Sequence, residues 1–299
     1  MGNAWILAAR PRTLGAAVAP VLVGTCLAAH ADAFEPVAAV LCLGFAILIQ
    51  VGTNFANDYF DARKGADTPE RIGPTRAVAA GLISEASMKR ATYGVLGLAF
   101  MVGLGIVPFG GWWLVGVGVA SVVFALAYTA GPYPLAYIGL GDVFVFIFFG
   151  LVAVGFTYYV QAGSFCRNAW VAGAACGALA TNILVVNNIR DRLSDEKANK
   201  RTLIVRFGRM YGVLQFWLAS LLASFVPVFL YLQPDSPYGP WILLPVPLFL
   251  FGSFQRVLLM RAKTREAYAR LLTFSAVTLV VWAVLFSAGV LIDRYIAAS

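Results

Sequence analysis

Histidine is almost missing from this sequence. The single example, His30, lies at the end of an apolar stretch, which leaves little basis for chemistry built on an imidazole base or a histidine-rich metal site. Cysteine is nearly as scarce. Of the four, Cys26, Cys42 and Cys176 fall inside long apolar runs and only Cys166 lies in a connection, so neither a disulfide framework nor zinc spacing is available. Charge is short as well: Asp, Glu, Lys and Arg make up 12% of the chain, about half the fraction of a soluble domain. No segment has the pattern of a cleaved signal peptide. Trp5 to Ala9 is a short apolar stretch closed by Arg10-Pro11-Arg12 and reads as an interfacial helix.

What fills the chain instead is apolar sequence. Of its 299 residues 61% are hydrophobic, mean hydropathy is +0.81, and the apolar residues come in blocks rather than alternating. Blocks of roughly 18 or more read as membrane-crossing helices. Nine are expected, at about 14–30, 36–54, 90–108, 111–129, 141–161, 169–186, 212–232, 240–255 and 271–292. The eighth is interrupted by Pro245 and Pro247, which membrane helices tolerate when neighbours satisfy the freed carbonyls. The expected fold class is therefore all-α, one integral membrane domain over 1–299 built as a bundle of nine spans. A cytoplasmic N-terminus then places 20 of the 22 Lys and Arg inside, leaving only Arg167 and Arg294 outside, as the positive-inside rule demands. That parity puts the C-terminus on the outer side. The net charge of +8 follows from loops held near anionic lipid and does not imply nucleic-acid binding.

The outward connections are short, whereas the cytoplasmic ones at about 55–89 and 187–211 are long, charged and rich in Asn, Asp, Arg and Gly. The first carries Asn54, Asn57, Asp58 and Asp61. At about 100° per residue, Asn54, Asp58 and Asp61 share one face of an extended second helix. Gly65 can end that helix and let Asp67 turn back toward the same spot. The second connection carries Asn187, Asp191 and Asp195, again on one face. Each cluster is Asn, then Asp four residues on, then Asp three or four further, which suggests a weak internal duplication with the two clusters facing each other across the bundle.

Five carboxylates gathered in one place repel. Two like charges roughly 5 Å apart cost about 3 kcal/mol at an effective dielectric of 20, so a cation is expected among Asp58, Asp61, Asp67, Asp191 and Asp195. Hard oxygen ligands suit Mg²⁺, which completes its shell with water and substrate phosphates. Arg63, Lys64, Arg71, Arg76, Lys200 and Arg201 would meet the phosphate oxygens left free, with Asn54, Asn57 and Asn187 beside them. The plainer reading, charged helix ends solvated in loops, accounts for the basic residues but not for the repeated Asn/Asp spacing.

At these residues the chain resembles the UbiA-type superfamily of intramembrane aromatic prenyltransferases, and the resemblance covers nearly its whole length. It is carried by Ala8 to Leu14, Asn54 to Asp61 with Gly65 and Asp67, Arg71 to Arg76, Tyr128 to Leu135, Gly139 to Asp142, Asn187 to Asp195 and Lys200 to Gly208. Within the superfamily these segments are closest to the branch that prenylates dihydroxynaphthoate. The resemblance implies a nine-helix, Mg²⁺-dependent enzyme of the bacterial inner membrane. It would transfer a polyprenyl group from polyprenyl diphosphate to 1,4-dihydroxy-2-naphthoate, with loss of carbon dioxide and diphosphate, in menaquinone synthesis. The broader pattern carries an acid four positions after the second Asp; this chain has Gly65 there, and the naphthoate branch implies Asp67 in its stead.

Other positions admit two readings each. Asp142, at the start of the fifth helix, either orients the acceptor or acts as a base, or else favours the helix dipole. Tyr128 and Tyr133 either shield an allylic cation with their rings or sit in the interfacial aromatic belt. Gln50, Asn182, Tyr158 and Tyr159 either line a cavity or bond between helices. Other acceptors (4-hydroxybenzoate, homogentisate, haem) remain open. A secondary transporter would carry polar or broken helix at the midplane, where this sequence is almost free of charge.

Overall fold

The computed structural model describes residues 2–65 and 73–298. Among these residues it is helical and without strands. The elements are α1 (Gly2–Ala9), α2 (Gly15–His30), α3 (Pro36–Arg63), α4 (Glu85–Leu104), α5 (Leu114–Ala127), α6 (Gly141–Ala162), α7 (Arg167–Lys197), α8 (Leu203–Phe207), α9 (Arg209–Tyr231), α10 (Leu248–Arg261) and α11 (Arg265–Ala298). The expected apolar blocks all coincide with helix, but the count of nine spans is not confirmed. Six helices are long and apolar enough to cross a membrane, namely α3, α6, α7, α9, the Pro240–Arg261 segment that contains α10, and α11. A seventh is reached if α1 with its extension to Thr13 and α2, which meet at 44°, form one bent span. The two blocks that do not qualify have physical reasons. α5 has 14 residues, about 21 Å of helix against a hydrocarbon core of about 30 Å. α4 has 20 residues but carries Glu85, Lys89 and Arg90 in its first two turns.

Helix boundaries follow the local chemistry. The Glu35 carboxylate accepts from the Val37 amide at 3.3 Å with Pro36 at the first helical position, and Ser84 caps α4 through the Ser87 amide. α3 ends at Arg63, and Gly65 takes the left-handed φ of +67° that a side chain would resist. The main core lies among α2, α6, α7, α9 and α11, where Trp282 stacks on Phe286 with centroids 5.0 Å apart and donates its indole N–H to the Ala223 carbonyl. At the end away from the Asn/Asp clusters, Arg294 of α11 pairs with Asp32 after α2.

α6 is not a plain α-helix. Its middle turn, Ile147–Val152, is wound as a π-helix, and at that turn α6 crosses α7 backbone to backbone. A Cβ on Gly150 would stand 2.4 Å from the Gly173 carbonyl oxygen, and one on Gly177 2.4 Å from that of Phe146. Small residues at such crossings let helices approach where lipid supplies no hydrophobic drive. Gly150→Ala and Gly177→Ala should therefore each destabilise the fold by about 1–3 kcal/mol, the usual cost of overpacking. Gly116→Ala, which meets nothing within 4 Å, should be neutral. Thermal unfolding in detergent, followed by size-exclusion of the surviving fraction, measures the difference.

Candidate active site

The Asn/Asp face of α3 is buried as its spacing predicts: Asn54, Asp58 and Asp61 are all under 5% exposed. Each side chain has a definite partner. Asp58 receives the backbone amides of Ala77 and Val78, one on each oxygen at 3.1 Å, and so ties the segment at residues 77 and 78 to the helix. Asp61 accepts from the Tyr137 hydroxyl at 2.9 Å and pairs with Arg76 at 3.5 Å. Asn54 donates to the Ala9 carbonyl and to Thr13 Oγ1, tying down the segment after α1. Asn57 accepts from the Thr129 hydroxyl at 3.0 Å.

On α7, Asp191 is gripped by its neighbour Arg190, with Nε and Nη2 each donating to one carboxylate oxygen at 2.8 and 2.7 Å. Both side chains are under 8% exposed. Asp195 pairs with Lys200 at 3.4 Å. Asn187 donates to the Ile183 carbonyl one turn back.

The connection between α5 and α6 joins the two clusters. Tyr137, whose hydroxyl bonds Asp61, lies under two ammonium groups: Lys64 Nζ is 4.8 Å and Lys200 Nζ 5.6 Å from its ring centroid. Asp61, Tyr137, Lys200 and Asp195 thus form one chain of contacts from the first cluster to the second. Lys64 also donates to the Thr129 and Gly131 carbonyls. Its burial there pulls its pKa below the ordinary lysine value, against the opposing pull of Asp61. The Arg201 amide bonds the Tyr137 carbonyl, and Arg206 bonds that of Ile138. The facing arrangement expected from the spacing is therefore present.

Immediately inside the clusters lies a chamber of about 290 Å³. Its polar mouth is lined by Arg10, Thr13, Asn54, Asn57, Tyr128 and Asn187, and its depth by apolar and aromatic side chains including Phe45, Phe124, Phe144, Phe148 and Phe156. Phe124 meets Phe144 and Phe148 at centroid distances of 4.9 and 5.3 Å. Along α3 the lining runs from Asn57 to Cys42, about 22 Å of helix.

The structure separates the expected site residues. Asp58, Asp61, Arg76, Asp191, Asp195 and Lys200 belong to the facing clusters; Asn54, Asn57, Asn187 and Tyr128 line the mouth. Asp67 and Arg71 lie outside the described residues. Arg63 turns to the Tyr59 hydroxyl, and the Arg201 guanidinium is exposed beside Asn199. Tyr133 is 78% exposed and away from the chamber. Asp142 is buried at the start of α6 and accepts from Gln215 of α9 at 2.9 Å; it is not among the chamber's lining residues. Of the in-span polar residues, Gln50 lines the chamber, and Asn182 bonds Ser220 between helices. The residues that spacing did not single out are Tyr137, Arg190, Thr13 and Arg10. Tyr137 lies just between two of the stretches that carried the resemblance, so its position in the chain was a usable signal.

The repulsion expected among the carboxylates takes a different form. Arg76, Arg190, Lys200 and the two amides at residues 77 and 78 offset the negative charge from within the protein, and among the described residues no group of three Asp, Glu, His or Cys gathers to hold one ion. Charge balance alone therefore does not require a metal.

Comparison with known sequences decides the family. The profile of the UbiA prenyltransferase family matches residues 17–277. The chain belongs to the UbiA prenyltransferase family. It is 38% identical over 258 residues to the 1,4-dihydroxy-2-naphthoate octaprenyltransferase of Escherichia coli (strain K12), covering 83% of each chain. It is 42% identical over 207 residues to the enzyme of that same name from Mycobacterium tuberculosis (strain ATCC 25618 / H37Rv), covering 68% of this chain and 70% of that one. Among solved structures, a UbiA homolog from Archaeoglobus fulgidus bound to GPP and Mg²⁺ aligns with a TM-score of 0.63 at 14% identity, over 95% of this chain and 99% of the other. At that identity the likeness speaks to the UbiA fold.

Removing one member of a buried ion pair leaves the other uncompensated, which costs about 3–5 kcal/mol. Arg190→Ala should accordingly lower the thermal midpoint in detergent by many degrees, whereas Arg192→Ala, a less buried neighbour on the same helix, should leave it nearly unchanged. Equal midpoints would show that the Arg190–Asp191 pair contributes nothing to the fold.

Proposed function

We propose that this chain transfers a polyprenyl group from polyprenyl diphosphate to 1,4-dihydroxy-2-naphthoate, releasing diphosphate and carbon dioxide and giving a demethylmenaquinol for menaquinone synthesis. The observation that carries the reading is the convergence of the two Asn/Asp clusters at the mouth of an aromatic-walled chamber, in a chain 38–42% identical to naphthoate octaprenyltransferases. Such a place keeps a diphosphate near water and its isoprenoid tail among apolar helices. The chain is read as a multi-pass protein of the bacterial inner membrane with its N-terminus and both clusters on the cytoplasmic side.

The donor set fits Mg²⁺ by its chemistry. Asp58, Asp61, Asp191 and Asp195 are oxygen donors with no imidazole or thiolate among them, and Asp67 is a further candidate. With no three carboxylates gathered among the described residues, each cluster offers one or two to an ion, the usual number for Mg²⁺ that takes the rest of its shell from water and substrate phosphate. When bound, Mg²⁺ supplies charge stabilisation for the departing diphosphate. The residues of the chain do the rest. Arg76 and Lys200, now paired with Asp61 and Asp195, are placed to follow phosphate oxygens as those carboxylates change partners. Arg10 is the one Lys or Arg among the described residues that lines the chamber, and it is suited to the acceptor's carboxylate. Tyr128 and the Phe124, Phe144 and Phe148 rings present π faces to the allylic cation left by ionisation. An electron-rich ring carbon of the acceptor then forms the new carbon–carbon bond, and the electron pair of the broken bond to the carboxylate restores the aromatic ring.

The test is transfer by the purified protein to 1,4-dihydroxy-2-naphthoate, with and without chelator. Prenylated product should form and should disappear when Mg²⁺ is removed. Asp58→Ala and Asp191→Ala should each lower kcat by at least about 100-fold, the scale set by losing one preorganised electrostatic contact to a leaving group. Circular dichroism checks that each variant retains its helix content. Full activity in either variant would refute the assignment of that cluster.

A further inference from the structure

One wall of the chamber carries a hydrogen-bond acceptor that the protein does not use. Gln50 of α3 is 7% exposed, lines the chamber, and donates through Nε2 to Thr13 Oγ1 at 3.0 Å. Thr13 fixes which way this amide faces. Its hydroxyl donates to the Arg10 carbonyl at 2.9 Å and accepts from Asn54 Nδ2 at 3.1 Å. A threonine hydroxyl has one proton. With that proton on Arg10, Thr13 can only accept from Gln50, and a flipped amide would set oxygen against oxygen. The Gln50 carboxamide oxygen is thus directed away from Thr13, and it is buried with no hydrogen-bond partner. Buried polar atoms are rarely left so.

A carbonyl in that position selects for a ligand with a proton to donate. A diphosphate is an anion and is repelled by it, and a prenyl tail has no polar hydrogen. A ring hydroxyl fits. The level is also right: the Gln50 and Asn54 amides end on the same Thr13 hydroxyl, so the Gln50 carboxamide lies near Asn54, one helical turn (about 5.4 Å) inside Asp58. We infer that Gln50 Oε1 accepts a hydrogen bond from a ring hydroxyl of the aromatic acceptor and thereby holds the ring between the polar mouth and the phenylalanine wall. The inference rests on the function proposed above. Accepting from the hydroxyl also leaves more electron density on its oxygen, and so on the ring, where the new bond forms.

The experiment measures steady-state transfer by the full-length protein with Mg²⁺ and saturating polyprenyl diphosphate. Wild type, Gln50→Met and Thr13→Val are compared, with 1,4-dihydroxy-2-naphthoate varied and with 1-hydroxy-2-naphthoate and 4-hydroxy-2-naphthoate as competitive inhibitors. Gln50→Met should raise KM for the dihydroxy acceptor about 3- to 10-fold, the loss of one neutral hydrogen bond. The KM for the diphosphate should not move. Wild type should bind one monohydroxy analogue more tightly than the other, Gln50→Met should lose that difference, and Thr13→Val, which keeps the acceptor oxygen but removes the hydroxyl that orients it, should lose only part of it. An unchanged acceptor KM in Gln50→Met, or discrimination between the two analogues that Gln50→Met retains in full, overturns the inference and leaves Gln50 as a tether for the α1–α2 junction. If Gln50→Met does not fold, wild type decides alone, since equal inhibition by the two analogues also overturns it. Absence of transfer to the dihydroxy acceptor by wild type instead overturns the proposed function.

Discussion

The hydroxyl of Tyr137 donating to Asp61, under the ammonium groups of Lys64 and Lys200, is the contact on which the arrangement of this site depends. The two Asn/Asp clusters belong to helices far apart in sequence, and carboxylates brought together repel. Something must hold them in register before any substrate arrives. Tyr137 does so with its hydroxyl and its ring. The hydroxyl takes one carboxylate, and the ring supports the lysine that pairs with Asp195. The backbone follows, since the Arg201 amide bonds the Tyr137 carbonyl and the Lys64 ammonium bonds those of Thr129 and Gly131. The α5–α6 connection is therefore the clasp between the halves of the bundle.

This arrangement has a consequence for how a polyanionic substrate enters. Each cluster is already balanced, by Arg76, Arg190 and Lys200 and by the amides that Asp58 holds. A diphosphate with divalent cations brings both signs of charge. It can exchange partners with the resident pairs and leave no buried charge uncompensated, whereas a bare anion or a bare cation would have to break a pair and leave one member alone. The 3.5 and 3.4 Å pairs to Asp61 and Asp195 are longer and weaker than the 2.7 Å grip of Arg190 on Asp191. On the function proposed above, Arg76 and Lys200 are the partners to exchange, and Arg190 the one that stays.

Much of this was legible in the sequence. The apolar blocks gave every long helix, Gly65 gave the end of α3, and the Asn/Asp spacing gave two buried faces that do meet. What was not legible depends on geometry that periodicity cannot carry. Tyr137 lies in an irregular connection, where no repeat announces which side chain turns inward. The pairing of Arg190 with its immediate neighbour breaks the rule that adjacent helical residues point apart, and only packing holds it. The span count is not confirmed for a simpler reason: hydropathy windows run across helix ends, so the expected blocks at 90–108 and 111–129 run past the end of α4 at Leu104 and past both ends of α5. Asp142 was placed correctly at a helix start, but its bond to Gln215 comes from a helix more than 70 residues away.

The chamber itself follows from a backbone constraint. Gly150, Gly173 and Gly177 let α6 and α7 touch main chain to main chain, and at that contact α6 widens into a π turn over Ile147–Val152. The extra residue in the turn changes which side chains face inward. Gly150 meets α7, and Phe148, Phe149 and Val152 line the chamber. A regular α-helix through the same stretch would shift the facing by about 100° per residue, so it could not keep both the glycine crossing and this aromatic wall in place. Irregular turns of this kind recur at functional sites, and here the reason is mechanical. The close crossing fixes α6 against the helix that carries Asp191, while the widened turn leaves Phe148 and Phe149 lining the chamber. The aromatic wall and the second Asp cluster are in this way set by one contact, and their separation is held by glycines that are not among the chamber's lining residues.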